Sequence, residues 1–279
     1  MKPGFYNLVN KIILISLLFL LTNKSFASGD IFPIGSRSAG MGRCSAALKG
    51  FWGIQNNQAA ISSIDKYSFG INYENRFTLK ETSYKSAAFI APFKIGVLGF
   101  SYNHYGYKAY REQKIGLAYA RKFGKIISIG IQLDYFSVKL GEDYGKKNNV
   151  SFEIGLQSDI VDNLCIGIYV FNPIRVKLTD TYNEKLPAIL RFGLAYSMND
   201  NLIITTEVEK NSYLNPILFR CGLEYAIKSK FFIRGGIASR YEIFSFGFGI
   251  NLKHLKVDMA ACMHESLGFS PKMGLIFNF

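Results

Sequence analysis

From residue 67 to the end of the chain, apolar and polar residues take turns with little interruption. Ile127, Ile129, Ile131, Leu133 and Tyr135 alternate with Ser128, Gly130, Gln132 and Asp134. Val150, Phe152, Ile154, Leu156 and Ile160 do the same with Ser151, Glu153, Gly155, Gln157 and Asp159, and Leu190, Phe192, Leu194 and Tyr196 with Arg191, Gly193, Ala195 and Ser197. A period of two puts one kind of side chain on each face of a strand. The stretches run about ten residues, the length of a tilted strand that crosses a bilayer, against about five or six for the mean strand of a globular protein. The polar faces mix Gly, Ala and charges, as a filled or wet barrel lumen would. The pattern predicts an all-β fold over 67–279: a transmembrane antiparallel β-barrel of about fourteen strands, the first paired with the last.

The connections agree with that. Short links at 93–94, 124–125, 162–163, 199–201, 228–230 and 253–254 alternate with longer ones at 104–112, 141–149, 172–187, 210–216 and 264–270. Short turns belong on the periplasmic side of an outer-membrane barrel and longer loops outside. The final strand carries Met273, Leu275, Phe277 and Phe279 on one face and ends on an aromatic residue, as bacterial outer-membrane barrels do. Alternation directs Asp134, Glu153, Asp159, Arg191, Glu207, Arg220, Glu224, Arg234 and Asp258 inward. Both signs occur, so they can pair with one another and dock a plug, or line a polar passage. In a wet lumen, Gln132→Arg should be mild and Ile131→Arg harmful.

The start of the chain reads differently. Lys2 and Lys11 precede an apolar run at 12–21, and Ser25-Phe26-Ala27 offers small residues for cleavage. This predicts a signal peptide over 1–27 and a mature protein from Ser28. The run is too short to span a bilayer as a helix, and mean hydropathy is only +0.11. The formal charge is +13; residues 1–27 hold three lysines and no acid, so the mature charge is +10. The signal and the scatter of the bases over strand ends argue against nucleic acid. Cys44, Cys165, Cys221 and Cys262 have no metal-binding spacing and read as free, small apolar residues. His104, His254 and His264 fall near strand ends with no nucleophile at a motif-like spacing. The sequence therefore predicts no enzyme, no metal and no cofactor.

Residues 28–66 lack strand alternation and are expected to form a small N-terminal plug. They contain Gly35-Ser36-Arg37-Ser38-Ala39-Gly40-Met41-Gly42 and Asn56-Asn57-Gln58-Ala59-Ala60-Ile61. These two stretches resemble the N-terminal region of FadL-like outer-membrane proteins, and especially the PorV/PorQ-like branch common in Bacteroidetes. Arg43 and Cys44 depart from that pattern, where small residues are usual, as do Gln58 in place of Pro and Ala60 in place of Gly. The resemblance implies a hatch built on Gly35, Arg37, Gly40, Met41, Gly42, Asn57, Gln58 and Ala59. It also implies a place in the outer membrane, among its lipid and lipopolysaccharide. Two roles follow from it: a plugged channel for a small hydrophobic or amphipathic ligand, or an accessory barrel that serves secretion-system proteins. A structural surface protein is a third. For Arg37, a carboxylate partner inside the lumen is favoured over direct contact with a ligand.

Overall fold

The alternating stretches pair edge to edge with their neighbours in sequence, and the ring closes where the first strand meets the last. In a computed structural model, which describes residues 31–141, 146–176, 185–213, 217–264 and 266–279, the strands are β1 (Ser68–Asn75), β2 (Ser83–Phe93), β3 (Gly96–Gly106), β4 (Tyr110–Phe123), β5 (Ile127–Leu140), β6 (Lys146–Val161) and β7 (Leu164–Phe171). They continue with β8 (Ile189–Asn199), β9 (Leu202–Asn211), β10 (Leu218–Ile227), β11 (Phe231–Ala238), β12 (Glu242–Asn251), β13 (Leu255–His264) and β14 (Gly268–Asn278). All pair antiparallel in a closed barrel, and β1 meets β14 with Ser68 opposite Asn278 and Glu74 opposite Lys272. The expected fourteen-stranded barrel is thus the observed fold. The expected signal peptide, 1–27, lies outside the described residues.

Alternation decides the two faces. Phe69, Ile71, Leu117, Ile131, Leu133, Phe219, Phe246 and Phe248 are exposed on the outside, and similar side chains surround the ring. An apolar belt this continuous is stable against lipid rather than water, and closure leaves no unpaired edge inside it. The terminal strand points Met273 outward while Lys272 is buried within.

The near rim, which holds the starts of β1 and β3 and the ends of β2 and β14, is joined by short turns at 94–95, 124–126, 162–163, 200–201, 228–230 and 252–254. The far rim carries the longer 76–82 and 172–188 connections. Several far-rim links are shorter than the sequence suggests. The expected 104–112 loop shrinks to 107–109, because His104 pairs with Gln113 and Tyr105 with Glu112. Likewise β6 begins at Lys146, opposite Lys139, and the 264–270 loop shrinks to 265–267 because His264 pairs with Gly268. A ladder can run on past the apolar belt with polar side chains on both faces, since its backbone bonds do not depend on burial.

A second difference concerns the lumen, which is packed rather than wet at Gln132. That side chain is 1% exposed. It donates to Asp134 at 2.8 Å, and it closes over Gly116. The filling material comes from residues 34–61, nearly all buried. Ser36–Ala39 forms a short helix, α1; Gly53–Asn56 forms another, α2; and a 3-10 turn covers Gln58–Ser63.

Candidate functional site: the lumenal segment and its docking network

Local hydrogen bonds shape residues 34–61 before the wall adds anything. Asn56 clasps Ile34, accepting from its N–H and donating to its carbonyl, each at 2.8 Å. Ser38 Oγ donates back to the carbonyl of Gly35 at 2.9 Å, closing the first turn of α1. Asn57 caps the 3-10 turn by accepting from Ala59 N–H at 3.2 Å, and its amide donates to the Ala46 carbonyl at 2.6 Å. Gly42 adopts φ +66°, a conformation that a residue with a Cβ disfavours, and its N–H donates to Ser245 Oγ at 2.8 Å.

The wall is cut to receive this segment. A Cβ added to Gly130, Gly155, Gly167, Gly222 or Gly236 would come within 3.0 Å of residues 41–59. These glycines are not scattered. Gly130 faces Gly155, Gly167 faces Gly193, and Gly222 faces Gly236 across neighbouring strands. Together they form a smooth belt on the inner face, where segment backbone rests directly on strand backbone. The segment also meets Gly70 through Phe51, Gly99 through Ile54 and Gly247 through Gly40, so its contacts go round the ring.

Charges then fix the register. Arg37 donates to both oxygens of Glu224, at 2.8 and 2.6 Å. Glu224 also pairs with Arg234 at 2.6 Å, and Arg234 with Asp258 at 2.8 Å. Arg43 binds Glu242 through two nitrogens, Glu74 at 2.8 Å and the Pro33 carbonyl at 2.9 Å. Burial opposes its charge, but Glu242 and then Glu74 outweigh that and hold its pKa well above the ordinary value. Lys272 at 3.0 Å from Glu242 and Arg76 at 3.0 Å from Glu74 complete this group.

Glu207 accepts from the backbone N–H groups of Ser45 and Ala46, at 2.8 and 2.7 Å, while Arg220 pairs with it at 2.7 Å. Arg191 binds Glu209 at 2.6 Å and the Ile31 carbonyl at 3.0 Å. Gln58 donates to Glu153, which also holds Lys114 and the Tyr169 hydroxyl. Asp134 lies 3.5 Å from Lys114. Arg43 and Cys44 therefore use the space that small residues would leave. Burial and then the Glu207 carboxylate push the Cys44 thiol well above its usual range, so it packs as an unreactive apolar group.

The structure places Asp134, Glu153, Arg191, Glu207, Arg220, Glu224, Arg234 and Asp258 inside, each no more than 4% exposed. Asp159 sits at the near rim against Lys49, at 2.6 Å. Sequence reading missed Glu74, Lys114, Glu209, Glu242 and Lys272, although each stands next to an outward apolar residue or at a strand end. It also missed the glycine belt, whose signal was glycine recurring at inward positions of successive strands. The four cysteines are free. His264 contacts Phe77, ring to ring at 5.2 Å, and His254 lies in a near-rim turn.

Two apolar clusters flank the polar network. Toward the far rim, Phe136, Tyr169, Phe171, Leu186 and Ile189 gather against Ala46. Toward the near rim, Ile34, Phe51, Trp52, Ile54 and Ile61 pack on Ile90 and Val97. Gln58 donates to the carbonyl of Ile54 in the near cluster at 3.2 Å and to Glu153, which lies opposite Phe171 of the far one.

No family model matches the sequence, and no curated protein matches it either. Solved structures do resemble the fold. The Ralstonia pickettii toluene transporter TbuX superimposes with a TM-score of 0.68 at 12% identity, over 89% of this chain and 98% of that one. The Pseudomonas putida toluene transporter TodX gives 0.66 at 10% identity, over 90% and 98%. A Pseudomonas aeruginosa FadL homologue gives 0.62 at 12% identity, over 90% and 98%. The likeness to these three structures is one of fold.

Proposed function

We propose that this chain is an outer-membrane protein, exported by a signal peptide over 1–27, in which residues 28–66 plug a barrel that passes small hydrophobic or amphipathic molecules. The near rim is then periplasmic and the far rim extracellular, as the short turns require. One observation carries the reading: the lumen is polar where the plug is tied down, yet holds an apolar cluster on each side of it. Ion pairs alone would hold a structural filler. Apolar side chains packed between segment and wall toward both ends suit a cargo that leaves lipid and enters an apolar site once the segment moves, and the similar folds of two toluene transporters point the same way. Gln58, between the clusters, is the plug residue whose movement would join them.

A second reading, a PorV/PorQ-like accessory barrel of a secretion system, draws on the completeness of the plug's ties to Glu74, Glu153, Glu207, Glu224 and Glu242. One experiment separates the two. Gly42→Leu places bulk where even a Cβ meets the Cys221 and Ile237 carbonyls at 2.7 Å. For transport, uptake of a hydrophobic probe such as toluene into cells or vesicles changes while heat-modifiable barrel mobility is retained. For secretion, uptake is unaltered and a copurifying partner is lost. No change in either measurement removes both readings.

A further inference from the structure

At the near rim, beside Phe51 and Trp52 of the near-rim cluster, the segment leaves a recess of about 50 Å³ against β13 and β14. That is several times the space one water needs. Arg37, Lys49, Trp52, Asn56, Lys256 and Asp258 line it, and it adjoins an open cleft edged by Lys66 and Lys253. The acids nearby are already engaged: Glu224 with Arg37 and Arg234, Asp258 with Arg234, and Asp159 with Lys49 and Lys122. Four cations thus face three carboxylates, before Lys256 is counted. Lys256 makes no ion pair within 4.0 Å among the described residues; its ammonium lies 5.2 Å from the Phe232 ring. The indole N–H of Trp52, a residue 6% exposed, donates to nothing among the described residues. A buried donor without an acceptor is costly, and a surplus of positive charge beside it favours an anion.

We infer that this recess binds an oxyanion of the phosphate class, held by Lys256 and the Trp52 N–H with Lys49 and Arg37 supplying charge. Cationic side chains line it from β13 and from two points on the segment, which suits a group with three or more oxygens better than a two-oxygen carboxylate. Lys66 and Lys253 outnumber Asp65 at the cleft and draw the anion in through their field. Free phosphate and the phosphate headgroup of a lipid in the facing leaflet present the same chemistry. The site is independent of whether hydrophobic cargo crosses the barrel.

Trp52 is the chain's one tryptophan, so its emission reports on the recess directly. Purified full-length protein in detergent is titrated with inorganic phosphate at fixed ionic strength. The protein is then reconstituted in nanodiscs of phosphatidylglycerol or of phosphatidylcholine. A saturable change with phosphate supports a free-ion site. A change with phosphatidylglycerol but neither phosphate nor phosphatidylcholine supports a lipid headgroup. In either case Lys256→Gln should weaken the response at least about tenfold, whereas Lys94→Gln, in the β2–β3 turn, should leave it alone. Lys49→Gln serves as the second variant if Lys256→Gln loses heat-modifiable mobility. No response to any of these probes overturns the inference, as does a response to chloride equal to that to phosphate, or equal responses of Lys256→Gln and the parent. Toluene uptake, measured in parallel, judges the transport reading by itself.

Discussion

At the scale of single residues, the molecule depends on positions where a side chain would do harm. Gly236 has backbone of Met41 and Gly42 where its Cβ would be. Neither strand nor segment can give way cheaply, because backbone rests on backbone. Gly236→Ala should therefore shift the segment and cost about 1 to 3 kcal/mol, the usual range for overpacking. Urea unfolding in lipid vesicles measures this, and an unchanged midpoint would show that the segment does not bear on the wall there. Glu207 is the complementary case, since two backbone N–H groups and Arg220 all depend on it. Removing one partner of a buried pair typically costs about 3 to 5 kcal/mol. Glu207→Ala should lose that much, and Glu207→Gln less, because an amide oxygen still accepts from Ser45 and Ala46. Equal losses in the two variants would put the charge, rather than the backbone docking, at the centre of the effect.

Among the elements, β5 shows how one strand serves two surroundings. Ile131 is 55% exposed on its outer face and Gln132 is buried on its inner face. Ile131→Arg should impair insertion into vesicles by about 2 to 4 kcal/mol near the midplane. Gln132→Arg should insert normally but disturb the lumen, because it brings a second cation toward Lys114 and crowds the Gly116 site. Folding yield in vesicles reads the first effect and protease sensitivity of the 34–61 segment reads the second; if both variants fail in the same assay, the two faces are not separate. The faces were legible in the sequence because alternation is a property of one strand alone. So were the strand number and the inward direction of Arg191, Glu224 and Asp258. Their partners were not legible, because Arg43 meets Glu242 across 199 residues of sequence and no local period records such a distance. Loop lengths were misjudged at 104–112 because backbone pairing continues where hydrophobic alternation has already ended.

For the molecule as a whole, the plug proposed for the segment is tested by removing it. A chain lacking residues 35–61 keeps every strand but exposes the inner faces of Glu153, Glu207, Glu224 and Arg234 to water. In planar bilayers it should conduct ions where the full chain conducts little or none. Equal conductance of the two would mean that the segment does not seal the lumen. The same feature bears on how the molecule comes into being. Ser68 must find Asn278, 210 residues away, before the ring can close, and pairings so remote in sequence are slow to form. Residues 34–61 precede in the chain all of their carboxylate partners on β6 to β12. They then offer strands a surface of matching curvature, with a socket for each glycine pair. The segment is in that sense a mandrel: the sheet can be wound upon it, and the object that fills the finished lumen is also the tool that sets its bore.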